Sequence, residues 1–308
     1  MKLRPHTSLI NLLLTCVCLS CATSHNDDKT VSDIPYPRPL PDSTAIPFLP
    51  GVVSKDSLDF NAAFPPDGKS FYFTRSENKQ LKMYVTRHDG ENWTEPIHAL
   101  FTETKYSAAD PAFAPDGKLY FISNRPVDQS DTFLDYDIWF VTPLPDGRWS
   151  EPENLKSANS DSSEFYISFS TNGNLYFSSS RAGGFGEEDI YVSRLIDGQY
   201  ATPENLGIAI NSEKSEYDPC ISANEDLLVF TSSNREDTFG KGDLYFAKRN
   251  ENRNWLQAFN AGKNFNTSSR EYCAYFSPDS RYFFFTSDGD VKWMNAQFVR
   301  KQIEKSIK

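Results

Sequence analysis

Phe113-Ala114-Pro115-Asp116-Gly117-Lys118-Leu119-Tyr120-Phe121 is the stretch on which the fold turns. An apolar residue leads into Pro-Asp-Gly, and an unbroken apolar run leaves it. Asp-Gly is a hairpin signal, because the turn needs positive φ and these residues tolerate it. The pattern recurs from Phe64, Phe169, Ile221 and Phe276, so five starts fall 49, 56, 52 and 55 residues apart. A period near fifty suits a propeller blade and is too long for a leucine-rich or ankyrin unit.

Outward from the motif, each unit supplies further strands. The second strand (Phe71 to Phe73, Tyr120 to Ile122, Phe283 to Phe285) is continuously apolar, which requires cover on both faces. Asp137-Ile138-Trp139, Asp189-Ile190-Tyr191, Asp243-Leu244-Tyr245 and Asp290-Val291-Lys292-Trp293 mark a third strand, and Trp93, Trp149, Tyr200 and Trp255 lie near the start of a fourth. Four strands per unit is a blade. The expected fold is all-β, one propeller of five four-stranded blades, with a six-bladed ring as the alternative. The fifth unit lacks a fourth strand, while Leu49 to Ser54 reads like the end of one (Leu206 to Ser212) placed ahead of the first unit. Residues near Ile46 to Val53 are therefore expected to pair with the blade containing Trp293 and close the ring, and Gln297 to Lys308 to form a short helix outside it.

Ahead of the repeats, Lys2 and Arg4 precede an apolar run from Leu9 to Leu19, the order of an export signal and too short for a membrane span. Leu19-Ser20-Cys21 resembles a bacterial lipobox, with Cys21 as the lipidated residue, although Cys18 stands where leucine is usual. The expected organisation is a lipoprotein signal over residues 1–20, a proline-rich disordered tether over 21–45, and the propeller with its helix over 46–308. Loss of Lys2 and Arg4 with an acid-free signal takes the formal charge from −11 to −13, which argues against nucleic acid as a partner. Cys220 and Cys273 remain in the globular part, where export permits pairing and the spacing does not require it.

Pro-Asp-Gly-Lys before an aromatic strand, with the exits Ser123-Asn124-Arg125, Ser179-Ser180-Arg181 and Ser233-Asn234-Arg235, resembles the WD40-like repeat of TolB-type propellers. The resemblance covers roughly Leu58 to Trp293. It implies a periplasmic propeller that makes protein–protein contacts at the cell envelope. The chain departs from that family in showing five units where TolB has six blades, and in leaving no room for TolB's extra N-terminal domain.

Two residue sets are candidates for a site. Asp59, Glu164, Glu216 and Glu271 stand five residues before the motif, with Ala108 breaking the series. They could line the channel as a carboxylate ring, or pair with Arg125, Arg181 and Arg235 between blades. The loops between second and third strands carry acids and aromatics that could form a binding face: Asp128, Asp131 and Phe133; Phe185, Glu187 and Glu188; Glu236, Asp237 and Phe239. Alternatively, each phenylalanine tucks beneath its own loop.

Catalytic motifs are missing. There is no G-x-S-x-G, no H-E-x-x-H and no sialidase-type box, and beyond the tether the histidines are His88 and His98 alone. No catalytic residue, cofactor or metal is expected. The reading is a non-enzymatic envelope lipoprotein, lipid-anchored in the outer membrane with its propeller in the periplasm or at the surface, binding an envelope protein or peptidoglycan-associated partner. The alternatives are a glycan-binding or glycan-cleaving propeller and a structural accessory of a larger complex.

Overall fold

Five four-stranded antiparallel sheets follow one another along the chain; the third is interrupted by a small hairpin of Leu195–Ile196 and Gln199–Tyr200, and the fifth takes its last strand from the other end of the propeller. They are seen in a computed structural model whose described residues are Met1, 33–55, 57–99, 101–102, 105–132 and 134–306. The chain divides into residues 1–30 and a unit from Val31 onward, and the propeller lies wholly in the second. Cys21 and the signal lie outside the described residues.

Blade 1 comprises Leu58–Ala63, Ser70–Glu77, Gln80–Arg87 and Ile97–His98. Blade 2 comprises Ala108–Phe113, Leu119–Ser123, Asp137–Val141 and Glu153–Asn154. Blade 3 comprises Glu164–Phe169, Leu175–Ser179, Asp189–Ser193 and Glu204–Asn205. Blade 4 comprises Ser215–Ile221, Leu227–Ser233, Asp243–Lys248 and Phe259–Asn260. Blade 5 has Glu271–Phe276, Tyr282–Ser287 and Asp290–Asn295, and its outermost strand is Ile46–Pro47 from the other end of the propeller.

That closure is the expected one. Ile46 pairs with Trp293 and Pro47 with Lys292, and Trp293 is 1% exposed. Phe48 then enters an aromatic cluster, with ring centroids 4.7 Å from Phe71, 5.1 Å from Phe284 and 5.3 Å from Trp293. The last part of the stretch expected as a tether is packed rather than loose. Ile34 is buried, Tyr36 stacks on Trp293 at 5.6 Å, and Trp93 Nε1–H donates to the Pro35 carbonyl at 2.9 Å. Apolar and aromatic residues among its prolines give this stretch surface to bury, which composition averaged over residues 21–45 conceals.

Each apolar second strand is sandwiched between neighbouring blades. Tyr72 and Met83 meet Leu119 and Phe121; Tyr120 and Ile122 meet Leu175 and Phe177; Tyr176 and Ile190 meet Leu228 and Phe230. Val229 and Phe246 meet Phe283 and Met294, and the C-terminal helix Ala296–Ser306 adds Val299 and Ile303 to that layer. The aromatics expected near a fourth strand lie earlier: Trp93, Trp149 and Trp255 bridge back to the end of the third strand, and the two-residue outer strand follows. Cys220 and Cys273 are free thiols, both buried.

Candidate functional site

All five innermost strands carry the same irregularity. The register slips by one residue between Phe60 and Ala63, Ala109 and Ala112, Phe165 and Ile167, Tyr217 and Cys220, and Tyr272 and Tyr275. One non-glycine residue at each slip has positive φ: Asn61 (66°), Asp110 (55°), Tyr166 (40°), Asp218 (53°) and Cys273 (54°). Bulges of this kind re-aim a side chain. Here they produce a ring of five side chains of four kinds, one from each blade.

Its members hold one another. Asn61 Nδ2–H donates to Cys273 Sγ at 3.3 Å; the Cys273 amide and thiol donate to Asp218 Oδ2 at 3.1 and 3.4 Å. The Tyr166 amide donates to Asp110 Oδ2 at 2.9 Å, and its hydroxyl donates across the channel to the Ala274 carbonyl at 2.5 Å. Asp110, Asp218 and Cys273 form the floor of a cavity of about 460 Å³, walled by Phe60, Phe165, Tyr217 and Tyr272. Glu187, Glu188 and Arg270 line it nearer the loops. That volume is in the usual range of small-ligand pockets. Burial pushes Asp110 up to about 6; burial, and then the Asp110 charge, pushes Asp218 up to about 8. Burial also raises the Cys273 thiol, so it serves as a hydrogen-bond donor and not as a nucleophile.

The carboxylates singled out from the sequence belong to the scaffold. Glu164 meets Arg181 at 2.9 Å and Glu216 meets Arg235 at 2.9 Å, with no exposed surface on either acid. Each arginine also donates to a backbone carbonyl, of Ala158 or Ile210, and lies over two rings of its own blade, Phe177 and Tyr191 or Phe230 and Tyr245. Asp59 is held the same way, but by Arg75 at 2.6 Å, an arginine outside the Ser-x-Arg series. Glu271 has Thr267 and Ser287 hydroxyls in place of an arginine. Arg125 lies over Trp139. These pairs lie within single blades, Asp59 with Arg75 in blade 1, Glu164 with Arg181 in blade 3 and Glu216 with Arg235 in blade 4, and the acids are spent on them and not on the channel.

On the loop face, Phe185 and Phe239 are 49% and 46% exposed, not tucked. Their amides are hooked in the same way: Phe185 N–H donates to Asp189 Oδ2 at 2.5 Å and Phe239 N–H to Asp243 Oδ2 at 2.7 Å. Glu187 and Glu236 are exposed and Glu188 is half-buried. Asp237 accepts from the Tyr245 hydroxyl at 2.6 Å. Asp128 and Asp131 tie their own loop, accepting from the Ser130 and Val127 amides at 2.7 and 2.8 Å. Phe133 lies outside the described residues. Among the described residues, no group of three or more His, Cys, Asp or Glu side chains could hold a metal ion.

No protein-family model and no curated protein matches the sequence. Among solved structures, TolB from Acinetobacter baumannii shares 15% identity over 78% of this chain and 54% of its own, with a TM-score of 0.49. The chain thus spans about half of that protein's length. Putative TolB from Agrobacterium tumefaciens gives 18% identity, coverage of 76% and 74%, and a TM-score of 0.47. A thermostable family-43 glycoside hydrolase gives 11% identity, coverage of 84% and 91%, and a TM-score of 0.50. What is shared is the propeller. A shared fold does not carry function, so function has to be read from the side chains.

The ring at the channel floor was not found from sequence. Aligned on the motif, its members all stand three residues before the motif's first residue. The signal is that this position takes Asn, Asp, Tyr, Asp and Cys, twice as Asp-Pro (Asp110-Pro111, Asp218-Pro219), while the acid two residues earlier recurs in four of the five units.

Proposed function

We propose that the chain is a non-catalytic binding propeller of the bacterial cell envelope that engages a partner protein through the loop face carrying Phe185 and Phe239. The observation that carries this reading is the exposure of both phenylalanines on equivalent, carboxylate-hooked loops. Rigidly presented aromatics among charges have the composition of an interface hot spot, and each ring leaves about half of its surface open, Phe239 with Lys263 over its face. The export-signal and lipobox reading of residues 1–21 supports a lipid-anchored envelope protein.

The test is a photo-crosslinking amino acid at position 185 in intact cells, compared with position 147 on a turn of the opposite end. A discrete crosslinked partner at 185, lost when Phe239→Ala and Glu187→Lys are added, is the expected result. The same products from both positions would remove the reading.

Glycan cleavage is the competing reading, favoured by one observation: Asp110 and Asp218 share a cavity and are displaced unequally, to about 6 and about 8. Product release from a glycan panel, abolished by Asp218→Asn, would establish it in place of the first.

A further inference from the structure

Beyond the loop face, we propose that the channel cavity is a binding site for a primary ammonium group carried on a short apolar stem, with the nitrogen seated among Asp110, Asp218 and Asn61. The cavity shares Glu187 and Glu188 with the Phe185–Phe239 face, but the proposed contacts are Asp110, Asp218 and Asn61, which that face does not use, so either reading can fail without the other.

The first argument is a shortage of countercharge. The buried acids at the strand starts, Asp59, Glu164 and Glu216, are each matched by an arginine. Asp110 and Asp218 are also buried, at 7% and 8% exposure, yet among the described residues their hydrogen bonds come from backbone amides, a thiol and the Asn61 side chain, and no lysine or arginine pairs with either. Buried carboxyls without a cation are costly unless they stay protonated or acquire one. The cavity opens onto both, so a cation from outside can reach them.

A second, independent observation concerns donors. Asn61 stands between Cys273 and Asp110 in the ring, is 2% exposed, and turns its amide nitrogen to Cys273 Sγ and the Asp110 carboxyl, yet its Oδ1 has no hydrogen-bond partner. Buried acceptors left unmatched are uncommon and call for an explanation. The ring level therefore has acceptors on three sides and too few donors. An ammonium offers three N–H donors, no acceptor and a positive charge, which answers both shortages. Neutral hydroxyl ligands bring one donor and no charge.

The walls set the rest of the ligand. Phe60 and Tyr272 face each other at 6.0 Å, with Phe165 and Leu81 completing an apolar collar above the acids. Such a collar accepts a methylene stem or a flat ring, and aromatic faces favour the cation as it passes. Arg270 and Glu188 at the mouth are of opposite sign and leave the depth of the cavity acidic.

Proton linkage follows from the same geometry. The groups that face Asp218 are Asp110 from blade 2, Tyr166 and Glu188 from blade 3, its neighbour Tyr217, and Arg270, Tyr272 and Cys273 of blade 5 with its leading turn. Within this acid-rich group Asp218 holds its proton near neutrality. Seating an ammonium beside it ionises it, so binding releases a proton and strengthens as pH rises from about 6 to about 8.

Isothermal titration and ligand-observed NMR with n-butylamine, n-butanol and a blocked Gly-Lys-Gly peptide test this directly. The expected result is butylamine binding with a dissociation constant on the order of 1 mM or tighter, several-fold stronger at pH 8 than at pH 6, with proton release measured across buffers of different ionisation enthalpy. Butanol should bind at least about tenfold more weakly, a difference of about 1.4 kcal/mol. Asp218→Asn and Asp110→Asn should each weaken butylamine about tenfold without lowering Tm, since asparagine keeps an oxygen that can accept from the Cys273 or Tyr166 amide. Peptide binding would identify a lysine side chain as the natural source of the amine; butylamine binding alone would identify a free small amine. Equal binding of butanol, unchanged affinity in both variants, or no butylamine signal at pH 8 would each overturn the proposal. Should one variant fail to fold, the wild-type pH dependence and proton release decide.

Discussion

Asp218 is a carboxyl placed where its charge is disfavoured. Its folded-state pKa, pushed up to about 8 by burial and by Asp110, lies well above the ordinary 3.8. The folded chain therefore binds this proton more tightly than the unfolded one, and the associated stability is complete below about pH 4 and lost as pH rises towards 8. Asp110 adds the same dependence, ending near pH 6. Asp218→Asn should accordingly raise Tm at pH 8 by roughly 2–4 °C, with the gain shrinking by pH 5, as scanning calorimetry at the two pH values would show. An equal Tm change at both pH values would mean that the charge is not the cause. Glu164 is also disfavoured by burial but is paired, so its removal strands Arg181 against a layer of rings. Glu164→Ala should cost about 3 kcal/mol in urea denaturation, whereas Asp128→Ala, in a solvent-exposed loop, should stay within about 0.5 kcal/mol. The acids that recur at one place in four of the five units were legible because repetition is visible in a single sequence. Their pairing with arginine was legible as one of two alternatives. The ring at Asn61, Asp110, Tyr166, Asp218 and Cys273 was hidden because a channel lining varies where a scaffold repeats, and because a bulge inverts the face that simple alternation assigns.

Loops between the second and third strands of blades 3 and 4 are built to one plan, Phe-Gly followed by an acid or lysine and then the strand-opening aspartate. The glycine in each is there for space. A Cβ on Gly186 would collide with the carbonyl oxygens of Lys214 and Ser212, and one on Gly240 with those of Ser269 and Thr267. In both cases the loop rests directly on the backbone of the turn leading into the next blade, and Glu187 N–H and Lys241 N–H donate to that turn at 3.1 and 2.7 Å. Gly186→Ala should therefore lift the Phe185–Glu188 segment off blade 4 while leaving the sheets intact. Hydrogen exchange should show faster exchange at Glu187 and Glu216, unchanged protection at Phe177 and Phe230, and the crosslink from position 185 should weaken several-fold. Had exchange quickened in the strands as well, the glycine would be serving the blade and not the loop. Strand order, hairpin turns and the helix were readable at this scale because they rest on local chemistry: Asp67, Asp116 and Asp279 each accept from the amide two residues on, and Gly68, Gly117 and Gly173 take positive φ. Loop-to-loop seating involves partners from different units, and periodicity carries no information about it.

Closure is the property of the whole ring. Blade 5 completes itself with Ile46–Pro47, and the chain just outside that strand adds Tyr36 over Trp293, the Pro35 carbonyl to Trp93 and the Asp42 carbonyl to the Asn295 amide. The segment therefore ties blade 1 to blade 5 through buried aromatic contacts as well as through two residues of sheet. It is also the segment that the export reading places closest to a membrane anchor, so pulling on an anchored N-terminus would load the closure before any other part of the ring. A chain beginning at Asp33 should fold as a monomer, whereas one beginning at Leu49 loses the Ile46 pairing and Phe48, whose aromatic contacts alone are worth about 3–5 kcal/mol by analogy with Phe→Ala truncations. The shorter chain also leaves Asp290–Asn295 as an open edge strand. Its Tm should fall by roughly 10 °C or more, and it should self-associate in light scattering, with the Phe48→Ala variant of the longer chain falling in between and remaining monomeric. If the two chains melted together, the aromatic layers between blades would suffice to hold the ring, and the N-terminal strand would be an ornament on an already closed propeller.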